Sequence, residues 1–204
     1  MAFPGRSRHS GPEIGFWQVD AQVAWRLKKT VVMIGMPGAG KTAVGTALAR
    51  RLHVPFRDSD DEIVNAANMS IAEIFERDGE AFFRRKEAQV IARLLAEAPG
   101  VLSTGGGAFL QPANRAEIAA HGVSLWLDAD LDLLWSRVRH KETRPLLRTA
   151  DPRGTLAALY QARVPHYSQA DVVVESVPGL SVDEMTDRVV AALTERPDVL
   201  EKAA

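Results

Sequence analysis

From Thr30 onward, short runs of apolar and β-branched residues alternate with longer segments in which apolar positions recur three and four apart. Buried parallel strands read as continuous apolar runs and surface helices as a 3.6-residue period, so the alternation predicts repeated strand–helix units rather than hairpins. The predicted strands are TVVMIG at 30–35, VPFRD at 54–58, VLST at 101–104, VSLWLD at 123–128 and DVVVES at 171–176. Helices are expected over 41–52, 60–68, 71–77, 80–97, 112–121, 130–139, 154–168 and 181–195. Ser70 with Glu73, and Ser181 with Glu184, have the spacing of reciprocal helix caps. The expected fold is α/β, a single domain built on a five-stranded parallel sheet flanked by helices.

The domain is expected over 29–196. Before it, residues 1–28 are rich in Gly, Pro, Ser and Arg and then weakly amphipathic through FWQVDAQVAWRL, as in a partly flexible extension that docks by Trp17 and Trp25. Residues 197–204 are expected as a C-terminal tail. HKETRPLLRTADPRG at 140–154 is charged, interrupted by prolines and flanked by helices, a composition that suits a mobile surface lid.

Composition narrows the function classes. Twenty-five basic side chains face 26 acidic ones, a formal net charge of -1, so no global field gathers nucleic acid or an anionic membrane and any anion site must be local. The absence of cysteine excludes disulfides, thiolate metal centres and cysteine nucleophiles, and fits a reducing compartment. No apolar stretch approaches the roughly 20 residues that span a bilayer. The first 20 residues lack the apolar segment of a signal peptide and carry Glu13 and Asp20. A cytoplasmic monomer is expected.

The strongest chemical signal is GMPGAGKT, Gly35 to Thr42, which fits G-x-x-x-x-G-K-[ST] between a predicted strand and a predicted helix. Such a loop curls so that backbone N–H groups point at phosphate oxygens, with the positive end of the helix behind them. Gly38, Ala39, Gly40, Lys41, Thr42 and Ala43 are the expected phosphate cradle. Within it Lys41 reaches the β- and γ-phosphates and the Thr42 hydroxyl takes a place on Mg²⁺. A nucleoside triphosphate is therefore the expected donor, but the loop does not name the acceptor.

Two other stretches reach the same sheet edge. DSD at 58–60 follows the second strand, so its carboxylates emerge where ligands of open α/β sheets bind, although Asp60 is also placed to cap the following helix. VLSTGGGAF at 101–109 puts three glycines directly after the third strand, which makes either a plain turn or a surface that another group approaches closely.

The segments GMPGAGKTAVG, RDSDDEI, SIAEIFERDGEAFFRRKE, VLSTGGGAF, RPLL and ARVPHYSQAD follow, in order and spacing, the pattern of the shikimate kinases, and the chain resembles that family over about Lys29 to Glu175. It departs from the pattern at Pro37, where the family's loop more often has methionine, and in its N-terminal extension. The resemblance implies a P-loop kinase that transfers phosphate from ATP to the 3-hydroxyl of shikimate, with Mg²⁺, in aromatic amino-acid biosynthesis. It implies that Asp58 helps hold Mg²⁺ through water, and that Asp60 bonds the acceptor hydroxyls as general base or as an orienting group. Arg84 and Arg163 become the clamp on the acceptor carboxylate, Gly105, Gly106 and Gly107 the backbone against which its ring lies, and Arg144 the lid group that meets developing charge. Arg137 or Arg139 stacks on adenine, the spacing to Arg144 favouring Arg137. Glu87, three residues after Arg84, lies on the same helical face and can hold its guanidinium. Asp128, at the end of VSLWLD, is the alternative metal carboxylate and ranks behind Asp58 because it stands where a cap for the next helix is wanted. The competing readings are another P-loop small-molecule kinase, such as a gluconate or nucleoside monophosphate kinase, and a nucleotide-binding module without catalysis.

Overall fold

The structure is a computed structural model that describes residues 24–140 and 149–203. Five strands form one parallel sheet in the order β3 (Phe56–Asp58), β4 (Val101–Ser103), β2 (Thr30–Ile34), β5 (Gly122–Ala129), β6 (Val172–Ser176). Helices α1 (Lys41–Leu52), α2 (Ser59–Ala67), α3 (Ile71–Leu95), α4 (Pro112–His121), α5 (Leu131–Val138), α6 (Pro152–Tyr167) and α7 (Val182–Thr194) are the crossovers and flanks. The apolar runs are strands because both faces of the sheet are covered: Val31, Val32 and Met33 of β2 and Leu125 and Leu127 of β5 are fully buried.

All five strands run the same way, so the segments that follow them emerge at one edge. The central strand β2 pairs with β4 on one side and β5 on the other. Chain connections diverge there and open a crevice, into which the loop after β2 projects. A second, smaller apolar cluster of Ile63, Ile74 and Phe83 joins α2 to α3 beside that crevice.

Capping follows side-chain chemistry closely. Both expected reciprocal caps form, Ser70 with Glu73 on α3 and Ser181 with Glu184 on α7. Two other caps fall on different residues from those the sequence suggests. Asp58, not Asp60, caps α2, accepting the Asp60 N–H at 3.0 Å. Asp130, not Asp128, caps α5, accepting the Leu133 N–H at 2.7 Å. In both cases strand and helix abut so tightly that a shift of two residues changes which carboxylate reaches the first turn.

The helices expected at 71–77 and 80–97 both form, as the two segments of α3 on either side of a break at Gly79. Gly79 holds φ 79° and ψ 168°, a conformation closed to side-chain-bearing residues at low cost, and helical geometry resumes after it. The expected lid over 140–154 overlaps the start of α6 at Pro152, and residues 141–148 lie outside the described residues.

Periodicity gave no sign of the two-stranded antiparallel ribbon of β1 (Trp25–Leu27) and β7 (Leu200–Lys202), which joins the end of the expected extension to the expected tail. Three residues are too few for a period of two to register, and LEK carries two charges. Tertiary burial and ion pairing supply what local pattern does not: Leu27 and Leu200 are buried, Lys28 meets Glu201 at 2.6 Å and Lys29 meets Asp198 at 2.9 Å. Leu200→Ala should lower the unfolding free energy by about 2–4 kcal/mol through lost burial and residual cavity. Urea denaturation should show a lower midpoint at unchanged slope.

Candidate active site

The loop after β2 has the geometry of an anion cradle. Gly35, Gly38 and Gly40 hold φ 139°, 91° and 99°, and a Cβ on Gly38 would lie 2.5 Å from Val138 Cγ1. The N-terminal residue of α1 has no side-chain cap, so its first N–H groups are left to the loop. Lys41 Nζ donates to the carbonyls of Gly35 at 3.0 Å and Met36 at 3.3 Å, which anchors the ammonium over the loop. Arg137 reaches from α5 to the Ala39 carbonyl at 3.2 Å and to Ser176 Oγ at 3.4 Å, while Arg139 is exposed at the end of that helix. A cleft of about 660 Å³ runs along this loop and is lined by Gly38 to Ala43, Asp58, Asp60, Gly105, Gly106 and Arg137.

The glycine triplet has a specific steric origin. None of the three has positive φ, so backbone freedom is not what they supply. Each is instead covered by a different charged side chain. A Cβ on Gly105 would lie 2.8 Å from Asp60 Oδ1, one on Gly106 would lie 2.8 Å from Arg163 Nη1, and one on Gly107 would lie 2.5 Å from Arg84 Nη2. Side chains from α2, α6 and α3 thus converge on three consecutive α-carbons.

The electrostatics of these groups are strained by partial drying. Burial, reinforced by neighbouring Asp58, pushes the Asp60 carboxyl up to about 6 against the pull of Lys41 and Arg84, and its buried Oδ1 has no hydrogen-bond partner among the described residues. Arg84 donates from Nη1 to Glu87 at 2.8 Å and from Nε and Nη2 to Glu80 at 3.2 and 3.1 Å. Glu87 meets Arg84 as the helical spacing predicts. It is fully buried, and burial raises its pKa although Arg84 opposes this. Arg163 is 9% exposed, and among the described residues it makes no ion pair with a carboxylate. A buried guanidinium without a carboxylate partner favours an incoming anion, because leaving the charge uncompensated is costly.

Among the described residues no group of three or more His, Asp or Glu side chains is placed to hold a metal. Thr42 and Asp58 do line the same cleft. One hydroxyl and one carboxylate suit Mg²⁺, which keeps several waters and takes phosphate oxygens rather than a complete protein cage. Asp128 does not line the cleft. It lies beside Glu175 and Asp130, and burial followed by those two charges raises its pKa.

The cleft thus gathers the phosphate loop, both DSD carboxylates and two of the three glycines, with Gly107, Arg84 and Arg163 adjoining. Arg144 lies outside the described residues. Sequence reasoning passed over four supporting groups. Glu80 stands one helical turn before Arg84, a spacing that could have flagged it. Asn114 donates to the Ala108 carbonyl at 2.9 Å and Arg115 to the carbonyls of Phe109 and Leu110 at 2.9 and 3.0 Å, fixing the turn that follows the glycines. The Tyr167 hydroxyl donates to the Gly106 carbonyl at 2.5 Å.

Comparison with known proteins bears on the family of the chain. The family model for shikimate kinase matches residues 37–194. A shikimate kinase of Ruegeria pomeroyi is 71% identical over 175 residues, covering 86% of this chain and 90% of the relative. One of Cereibacter sphaeroides is 67% identical over 180 residues, covering 88% and 90%. Among solved structures, the shikimate kinase from Acinetobacter baumannii in complex with shikimate superposes with a TM-score of 0.76 at 34% identity, over 83% of this chain and 95% of that one. A gluconokinase from Sinorhizobium meliloti shares the fold, with a TM-score of 0.56 at 18% identity over 83% of this chain and 94% of that one. With the family model matched over more than half of its length and two relatives 71% and 67% identical over 86% and 88% of it, the chain belongs to the shikimate kinase family.

Proposed function

We propose that the chain transfers the γ-phosphoryl group of ATP to the 3-hydroxyl of shikimate, a step toward aromatic amino acids. The observation that carries this reading is the triplet Gly105–Gly107, over which one carboxylate and two guanidinium groups are each seated at a separate glycine. That arrangement suits a small ring bearing hydroxyls on one side and a carboxylate on the other. Hydroxyls are met by Asp60 and the carboxylate by Arg84 and Arg163, whose planar forks match its geometry.

In the proposed reaction the acceptor oxygen forms a bond to the γ-phosphorus while the bond from that phosphorus to the β–γ bridging oxygen breaks. The hydroxyl proton passes to the Asp60 carboxylate, and ADP carries away the bridging oxygen. Lys41 and the loop N–H groups balance charge on the β- and γ-phosphates. Thr42 and Asp58 are the residues that would hold Mg²⁺, which supplies charge neutralisation on the phosphate oxygens when bound. Arg137 is assigned to the adenine and Arg144 to the phosphoryl group in flight, with 140–154 as the lid that keeps water from competing. The reading includes a monomer working in the cytoplasm. Among the described residues no helix is long and apolar enough to cross a membrane.

Product formation with shikimate and gluconate side by side tests the acceptor. Turnover should require shikimate, and faster turnover on gluconate would overturn the assignment. A chain that binds ATP yet phosphorylates neither would be a binding module.

Asp60 connects rate to pH and stability. It must be a carboxylate to accept a proton, so kcat/KM should fall as pH drops through about 6. Asp60→Asn should lose most of kcat, and what remains should lack that acid limb. Because the folded pKa lies above the ordinary aspartate value of 3.8, the group's stabilising contribution is complete below about 4 and is lost as pH rises through about 6. Asp60→Asn should therefore raise the thermal midpoint at pH 8 and leave it nearly unchanged at pH 4, as calorimetry at the two pH values would show.

The arginines should divide by kinetic parameter. Arg163→Ala and Arg84→Lys should chiefly raise the shikimate KM, by about tenfold or more, with the ATP KM nearly unchanged. Arg144→Ala should instead lower kcat by about two orders of magnitude or more. An Arg144→Ala enzyme with wild-type kcat would remove that residue from the transition state.

A further inference from the structure

Three consecutive glycines are a poor platform by themselves, because a backbone without side chains has the most conformational freedom to lose. Their carbonyls and amides must be held from outside. The carbonyls after the triplet are held by Asn114 and Arg115. Within the triplet, the side-chain bond to a carbonyl is the one from the Tyr167 hydroxyl to Gly106, at 2.5 Å.

Tyr167 is 1% exposed, and its ring sits 6.0 Å from that of Trp126, tilted by 40°. It lies four residues after Arg163 on α6, one turn along the same face. The two side chains meet over one glycine: a Cβ on Gly106 would lie 2.8 Å from Arg163 Nη1 and 3.5 Å from the Tyr167 oxygen. The guanidinium interacts with that oxygen and favours its ionised form, while burial dominates and keeps the phenol protonated at neutral pH. A protonated hydroxyl has one hydrogen, committed to Gly106, and lone pairs that remain to face Arg163.

We propose that Tyr167 is a positioning residue for the acceptor site, its hydroxyl locking the Gly106 peptide and the Arg163 guanidinium in one fixed arrangement. This rests on the function proposed above and assigns a role to a residue outside the set that touches substrate. The hydroxyl fixes the middle of the triplet from below and the carboxylate clamp from the side. Arg163, without a carboxylate partner among the described residues, has its orientation set by this oxygen. With the hydroxyl removed, the ring still fills its place against Trp126, but the Gly106 carbonyl loses its donor and the guanidinium its polar neighbour. The expected defect is weaker capture of the acceptor carboxylate with little effect on the nucleotide.

Steady-state kinetics of Tyr167→Phe, Arg163→Ala and the double variant test this. Tyr167→Phe should raise the shikimate KM about tenfold and leave the ATP KM within about twofold. In the Arg163→Ala background the same change should move the shikimate KM by less than about twofold, because the group through which Tyr167 acts is already gone. Equal effects in both backgrounds, or a loss confined to kcat and thermal midpoint with an unchanged shikimate KM, would overturn the role. A wild-type chain inactive on shikimate would overturn this role together with the function it rests on. An active wild type with a normal Tyr167→Phe variant would overturn this role alone.

Discussion

Like and unlike charges must stand close together in a half-dry cleft before any ligand arrives, and this constraint shapes the acceptor side of the molecule. Asp60, Arg84, Glu87 and Arg163 come from three helices, and separately each would be expensive to bury. Arg84 is compensated by Glu80 and Glu87 within its own helix. Asp60 is compensated only in part and responds by holding its proton more tightly. Arg163 leans on a neutral hydroxyl and a carbonyl-rich floor. Replacing any of the three glycines beneath them would thrust a methyl group into a charged head and push it off its seat over the floor.

The sheet makes that convergence possible at modest expense in chain length. Parallel strands deliver the phosphate loop, the DSD turn and the glycine triplet to one edge. The switch at β2 leaves room between them. Helices and a strand end hold every charged side chain of the described site, and the small cluster of Ile63, Ile74 and Phe83 gives α2 and α3 an apolar seat of their own beside the main core. Asp60 and Arg84 therefore sit on one small packing unit. The phosphate loop belongs to the main core.

Strand and helix periods were legible from Thr30 to Thr194 because burial on two faces imposes continuous apolar runs and burial on one imposes a 3.6-residue stripe. The phosphate loop was legible because its glycines answer a local geometric demand. The caps were less so: Asp58 and Asp130 took places assigned to Asp60 and Asp128 because capping depends on where one element stops, and periodicity fixes ends poorly. The ribbon of β1 and β7 lies beyond local pattern altogether, since its partners are more than 170 residues apart. The glycine triplet was recognisable as a surface for close approach, but not who approaches. Only tertiary structure shows that the chain's own Asp60, Arg163 and Arg84 occupy that space, and that Tyr167 supports it.

The ribbon also sets an order of events. The parallel sheet, the phosphate loop and the glycine triplet all lie between Thr30 and Thr194, so every strand of the main sheet is synthesised before Leu200. Trp25–Leu27 must wait through the synthesis of all the other elements for the strand that pairs with it. Closure of the ribbon therefore comes after every strand of the main sheet has been made, and it joins the two ends of the described chain beside the amino end of β2. The described residues thus begin and end at the amino edge of the sheet, opposite the carboxyl edge where the cleft opens.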